Sequence, residues 1–290
     1  MRTFGRSGLT VSALGFGAMH INDERTSEDE AGALLNLVLD LGITLIDTAR
    51  SYGLSEERIG RHLAHRRQDF VLSTKLGYGV EGVPDWTYDC IVGGVERALR
   101  TMRCDWIDIA HLHSCPLETL QRGEVIRALE DCKAAGKLRA VAYSGDNAEL
   151  SFAIDCQRFD SVQTSISVCD QVNLAERLPK AAALGLGVIA KRPIAGAVWR
   201  RPARPNDHAE GAYWDRWQAM GLGGSDDWTA LALRFAAHAP GVSSAIIGTG
   251  KPEHLRANLT GVEQGPLPAE VSERIRGAFL AQDSGWSGLI

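Results

Sequence analysis

The chain has 290 residues, enough for one (β/α)8 barrel of about 250 residues or for two smaller domains. Apolar residues make up 44% and charged residues 23%, and 36 acids against 31 Lys and Arg leave a net charge of −5. These are the proportions of an ordinary globular protein, with neither the basic stripe of a nucleic-acid binder nor the roughly 20 apolar residues in a row that span a bilayer.

Thr3–Ser12 holds Arg6-Ser7-Gly8 between two strand-like pieces and predicts a β-hairpin outside the main pattern. From the strand at Leu14–Ala18 onward, short β-branched runs alternate with amphipathic helices. Ser27-Glu28-Asp29-Glu30 is a capping box, after which Ala31, Leu34, Leu35 and Val38 share one helical face until Gly42. Thr44–Asp47 reads as a strand, and Ser55-Glu56-Glu57 opens a helix with acids in its first turn. Phe70–Lys75 is the next strand, and Thr87 caps a helix whose inner face is Ile91, Val95, Ala98, Leu99 and Met102. Strands at Ile107–His113, Leu138–Ser144 and Ser161–Ser165 alternate with helices at Leu117–Ala135 and Ala148–Cys156. Pro179 suits the first turn of a helix ending at Gly185, and Gly187–Lys191 is a strand. Gly196–Ser225, with Trp199, Trp214 and Trp217, breaks the rhythm and reads as a long loop, uncommon unless functional. Asp226–His238, Val242–Ile247, Pro252–Leu259 and Pro268–Ala281 follow as helix, strand, helix and helix. Eight strands alternating with helices fit a parallel barrel or a doubly wound sheet.

In both folds the site forms at the carboxyl ends of the strands. Period two puts Ile43, Leu45 and Asp47 on one face, Val71, Ser73 and Lys75 on another, and Ile107, Ile109, His111 and His113 on a third. Each row ends on an ionisable residue, and Tyr52 follows Asp47 on the next loop. Singly these residues have bland explanations: a helix cap, a turn, a satisfied core histidine. Together they suit the reduction of a carbonyl. Tyr52 can protonate an oxygen, Lys75 favours its phenolate, Asp47 holds the lysine charged, and His113 orients the substrate oxygen.

Leu45-Ile46-Asp47-Thr48-Ala49-Arg50-Ser51-Tyr52-Gly53, Ser73-Thr74-Lys75 and Asp105-Trp106-Ile107-Asp108 through Leu112-His113 resemble the signature segments of the aldo-keto reductases. The resemblance runs from Phe4 to Asn258. It implies a (β/α)8 TIM barrel, here with an N-terminal hairpin and a long loop after the seventh strand, as one domain over residues 1–290. It also implies a nicotinamide cofactor, NADPH ahead of NADH, and maps the family's catalytic tetrad onto Asp47, Tyr52, Lys75 and His113. Ser144 and Gln163 match the groups that hold the carboxamide; Gly145 stands where the family has Asn, leaving Asp146 or Asn147 to take over. Lys191 and Arg192 replace an aromatic platform and face the pyrophosphate, and Trp199 is a candidate cover. Gly248 and Thr249, with Lys251, His254 and Asn258, match the segment for the adenosine half. His254 stands where members preferring NADPH often carry Arg, so Lys251 or Arg256 is the expected partner of a 2′-phosphate.

Rival readings remain. Lys75 could form a Schiff base, as in an aldolase on the same barrel. His111 and His113 form an H-x-H pair, but no further metal-ligand cluster is evident, so no metal is expected. A cofactor-binding, redox-sensing subunit with slow turnover is the non-enzyme alternative. Gly15-Phe16-Gly17 lacks the third glycine of a dinucleotide fingerprint; Cys115 reads as incidental; Trp286 lines a substrate pocket or packs on the barrel. Six scattered cysteines without a C-x-x-C pair, and no signal-peptide core after Met1, point to a reduced cytoplasmic protein acting on a small carbonyl or alcohol.

Overall fold

The computed structural model describes residues 1–23, 25–224 and 227–289. Strands β1 (Arg2–Phe4) and β2 (Leu9–Val11) pair antiparallel as the expected hairpin. Eight parallel strands close a barrel in chain order: β3 (Leu14–Gly17), β4 (Leu45–Asp47), β5 (Val71–Leu76), β6 (Ile107–His113), β7 (Leu138–Ser144), β8 (Ser161–Ser165), β9 (Gly187–Lys191) and β10 (Ser244–Ile247). The outer layer contains α1 (Glu28–Asp40), α2 (Ser55–Leu63), α3 (Tyr88–Met102), α4 (Leu117–Arg122), α5 (Glu124–Ala134), α6 (Asn147–Asp155) and α7 (Arg177–Ala183). It continues with α8 (His208–Met220), α9 (Trp228–Ala237), α10 (Pro252–Glu263) and α11 (Ala269–Gln282).

Local chemistry explains most boundaries. Ser27 accepts from the Glu30 amide while Glu30 accepts from the Ser27 amide, so the capping box of α1 is complete. Thr87 accepts from the Cys90 amide at 3.2 Å and starts α3. The helix expected over Leu117–Ala135 is instead two, α4 and α5, because the chain turns at Gly123. The expected loop Gly196–Ser225 is not structureless: it contains α8, whose Tyr213 and Trp217 are buried in a satellite core with Trp228. A helix starting at Asp226 falls in part outside the described residues, since Ser225 and Asp226 are not among them; the described helix is α9, capped by Asp227.

The barrel is filled in tiers. Leu45, Val71, Ile109, Ala140, Ala142 and Ile189 form an apolar tier, closed from the amino-terminal end by Phe4, Leu9 and Val11 of the hairpin. Burying the leucine, valine, isoleucine and phenylalanine side chains among them stabilises by about 1.5–3 kcal/mol each. Ile43 and Ile107, expected in the same inward rows, pack instead into the layer between strands and helices. Above the apolar tier lie Asp47, Ser73, Lys75, His111 and Gln163, all buried polar groups.

Candidate active site

Asp47, the last residue of β4, is the hub of the polar tier. One carboxylate oxygen accepts from the Lys75 ammonium at 2.5 Å; the other accepts from the Ser73 hydroxyl at 2.8 Å and the Gln163 amide at 3.0 Å. Lys75 also donates to the Thr48 carbonyl at 2.7 Å. Asp47 and Lys75 are only 1% and 2% exposed, so each charge depends on the other for compensation. Burial alone would pull the Lys75 pKa down, but Asp47 and Tyr52 outweigh it and hold the ammonium above its ordinary value. A lysine kept protonated this firmly is a poor nucleophile, which argues against a Schiff base.

Tyr52 reaches the same place from the loop after β4. Its amide donates to the Ala49 carbonyl at 3.0 Å, and its carbonyl accepts from Ser55 at 2.8 Å, so the loop folds straight into α2. Gly53 takes φ +44°, and a β-carbon there would lie 2.2 Å from the Asn22 carbonyl oxygen. Only glycine allows that approach, and it fixes the turn that aims Tyr52 inward. The tyrosine ring lies 5.0 Å from the Lys75 ammonium and meets the His113 ring edge-on at 6.3 Å between centroids.

His113, the last residue of β6, is driven down to a pKa of about 3, first by burial and then by the Lys75 charge. It is therefore a neutral imidazole at neutral pH. Its Nδ1 lies 2.5 Å from the Tyr78 hydroxyl. His111, two residues deeper, is also neutral, with burial taking it to about 4. Its Nε2 lies 3.0 Å from the Ser73 hydroxyl, which gives its own proton to Asp47 and so accepts from the ring. His111 thus belongs to the Asp47 network. Among the described residues no group of three or more His, Cys, Asp or Glu is arranged to hold a metal ion.

Asp47, Tyr52, Lys75 and His113 line one cleft of about 790 Å³, together with Ser144, Gln163, Lys191, Arg192 and Gly248. Ser144 donates to the Gln163 side-chain oxygen at 2.9 Å. Lys191 pairs with Asp146 at 2.9 Å, and Arg192 donates to the Leu289 carbonyl at 3.0 Å. The expected substitutes for the missing Asn are both engaged within the protein. Asp146 is fully buried among Lys191, Thr164, Ser165 and Asn173, and Asn147 exchanges two hydrogen bonds with the Gly288 backbone.

A second cleft, about 730 Å³, shares Gly248 with the first and is lined by Thr249, His254 and Asn258 at the start of α10. The two clefts meet at Gly248. Lys251 and Arg256 are exposed and line neither cleft. Arg200 lines the second cleft instead, brought there by the short helical turn Ala195–Arg200, for which the sequence carries no motif. Trp199 packs on Trp217 at 5.6 Å and lines neither cleft, so it does not cover the groove. Trp286 packs on Phe279 and Arg216. Cys115 is buried, with its thiol pushed up to about 12, and is not poised as a nucleophile.

Comparison with known proteins agrees with this geometry. Residues 13–279 match the model of the Aldo/keto reductase family. The chain is 27% identical to an L-galactose dehydrogenase from Arabidopsis thaliana, over 91% of this chain and 88% of the relative. It is 26% identical to a D-threo-aldose 1-dehydrogenase from a Pseudomonas species, over 87% and 89% of the two chains. Among solved structures, the holo form of an aldo-keto reductase from Bacillus halodurans superposes with a TM-score of 0.84 at 29% identity, covering 96% of this chain and 95% of that one. With the family's model matched over nearly its whole length and a barrel bearing an acid, a tyrosine, a lysine and a histidine in one cleft, this chain belongs to the aldo/keto reductase family of oxidoreductases.

Proposed function

We propose that the chain interconverts a small carbonyl compound and its alcohol with a nicotinamide dinucleotide, using Tyr52 as the proton donor. The observation that carries this reading is the convergence of Tyr52, Lys75 and His113 above a buried Asp47, at one end of a groove that continues past Gly248. The residues fit such a cofactor. Ser144 and Gln163 offer a hydroxyl and an amide to a carboxamide, while Arg192 offers positive charge beside Lys191, whose ammonium is paired with Asp146. The amides of Gly248 and Thr249 precede the N-terminus of α10, a position that favours phosphate. Arg200, His254 and Asn258 border the adenosine end, and Arg200 is the cation for a 2′-phosphate, which favours NADPH over NADH.

When bound, the nicotinamide supplies or takes up the hydride at the substrate carbon. In the reducing direction Tyr52 gives its proton to the substrate oxygen as negative charge develops there. Lys75, fixed by Asp47, stabilises the phenolate left behind, and neutral His113 donates a hydrogen bond to the same oxygen. Oxidation uses the same groups in reverse. His20 and Ser114 border the cleft beside the apolar Met19 and offer hydrogen bonds to the hydroxyls of a small hydroxylated aldehyde or lactol. That substrate class is also the one named by the L-galactose and D-threo-aldose dehydrogenases.

Titration with NADPH and NADH, followed by quenching of tryptophan fluorescence, should saturate with either and more tightly with NADPH. Tyr52→Phe should then bind cofactor as the parent does but lose at least about a hundredfold in turnover on sugar aldehydes. Absence of binding would refute the cofactor assignment, and undiminished turnover in Tyr52→Phe would refute the proton donor.

A further inference from the structure

His113 raises a question that the tetrad alone does not answer. A neutral imidazole carries one proton, on Nδ1 or on Nε2, and only the nitrogen that bears it can donate to a substrate oxygen. Nδ1 faces the Tyr78 hydroxyl at 2.5 Å, and among the described residues no group hydrogen-bonds Nε2. Tyr78 is a phenol at neutral pH, since burial raises it above its ordinary value. It has one proton to give and two acceptors within reach: His113 Nδ1 at 2.5 Å, and Ser51 Oγ at 3.1 Å, which is oriented to accept from the phenol. The shorter contact, to the stronger acceptor, takes the proton.

We propose that Tyr78 is a positioning residue for His113: it donates to Nδ1 and thereby confines the imidazole proton to Nε2, the nitrogen left for the substrate. This rests on the reading of His113 as donor to the substrate oxygen. The loop is built to hold the phenol in place. Gly77 takes φ +137°, and a β-carbon there would overlap the Trp86 ring at 2.1 Å. Trp86 in turn meets the Tyr78 ring edge-on at 6.0 Å and itself adopts φ +60°, a left-handed conformation costly for so large a residue. The strain persists because the surroundings over-determine it. Trp86 donates to the Gly77 carbonyl at 2.8 Å, the Gly79 amide donates to Asp85 at 2.9 Å, and Arg50 donates to the Gly79 carbonyl at 3.0 Å. Without the phenol the proton would be free to sit on Nδ1, and Nε2 would then turn a lone pair toward a carbonyl oxygen.

Two measurements test this. In protein labelled with 15N-histidine, with the His113 signals assigned by their loss in His113→Asn, the parent should show Nε2 protonated and Nδ1 bare, and Tyr78→Phe should show a mixture. A proton on Nδ1 in the parent, or an unchanged spectrum in Tyr78→Phe, would overturn the proposal. In steady-state kinetics Tyr78→Phe should lower kcat about tenfold, equivalent to about 1.4 kcal/mol of barrier, with cofactor affinity unchanged. In the His113→Asn background the same substitution should cost nothing further. Equal losses in both backgrounds would mean that Tyr78 does not act through His113. The spectrum reads the proton without turnover, so inert carbonyl substrates would count against the proposed reaction while leaving the tautomer decided.

Discussion

Replacing Lys75 with Met keeps most of the side chain's bulk and removes its charge, which separates what the lysine does for the fold from what it does for the reaction. Asp47 would retain its hydrogen bonds from Ser73 and Gln163 but lose its cation, and the Thr48 carbonyl would lose a donor. Breaking a buried ion pair from one side costs about 3–5 kcal/mol, because the remaining charge stays buried. Against a total stability of about 5–15 kcal/mol this is a large loss, worth roughly 5–8 °C in Tm for a chain of this length. The pH dependence has a definite sign. In the parent the Lys75 pKa is raised by folding, so its contribution is fully present below the ordinary lysine value and is lost only as pH rises through the folded one. The Lys75 contribution is therefore flat between pH 5 and 8. Urea unfolding followed by far-UV circular dichroism at pH 5, 7 and 8 measures this. Adding Asp47→Asn to Lys75→Met should recover at least half of the lost stability, while turnover stays low because no cation faces Tyr52. An unfolding midpoint equal to the parent's at pH 7, or a double variant no more stable than the single one, would refute the argument.

Two further outcomes are expected. Arg200→Ala should weaken NADPH about tenfold, about 1.4 kcal/mol, and leave NADH within a factor of two; equal losses for both would remove Arg200 as the partner of the 2′-phosphate. Asp170 is buried beside Asp146 and is pushed up to about 7, despite donors from Leu289 and Tyr213. Its folded pKa lies above the unfolded one, so the native state loses stability as pH rises from about 4 to 7, by at most about 4 kcal/mol. Asp170→Asn should lack that slope and gain on the parent between pH 5 and pH 8 in urea midpoints; parallel pH curves would contradict it.

Much of this fold is legible in the sequence because its local signals agree. Ser27 and Glu30, Thr87 and the β-branched run Ile107–His113 each declare an element without help from the rest of the chain. The acid, lysine and histidine near the ends of β4, β5 and β6 are legible for the same reason, since period two and nearness to a strand's end are properties of short windows. What escapes is whatever depends on distant packing. Arg200 comes to the adenosine end because Ala195–Arg200 coils after β9, and Trp199 turns away because α8 offers it Trp217. Lys251 is the N-cap of α10 and Arg256 lies in its second turn, and neither lines the cleft that His254 and Asn258 border. Tyr78 is hidden by its loop, for nothing in Leu76-Gly77-Tyr78-Gly79 announces a partner on β6.

Gly145 shows how packing behind a site can rewrite the site itself. A β-carbon at this position would lie 2.3 Å from the Tyr143 hydroxyl oxygen and 2.7 Å from the ring carbon that bears it. Tyr143 is fully buried, points into the layer between strands and helices, and packs against Phe159 at 6.2 Å. Any side chain at 145, asparagine included, therefore competes with that ring for the same space, and removing the hydroxyl alone would not resolve the conflict because the ring carbon is also too close. The glycine at 145 and the tyrosine at 143 are two sides of one packing choice. Under the proposed function that choice has a chemical consequence. With Asp146 committed to Lys191 and Asn147 to the Gly288 backbone, the carboxamide is left to Ser144 and Gln163, which already hydrogen-bond to each other and, through Gln163, to Asp47. The group that orients the nicotinamide would then be wired to the same carboxylate that fixes the charge on Lys75.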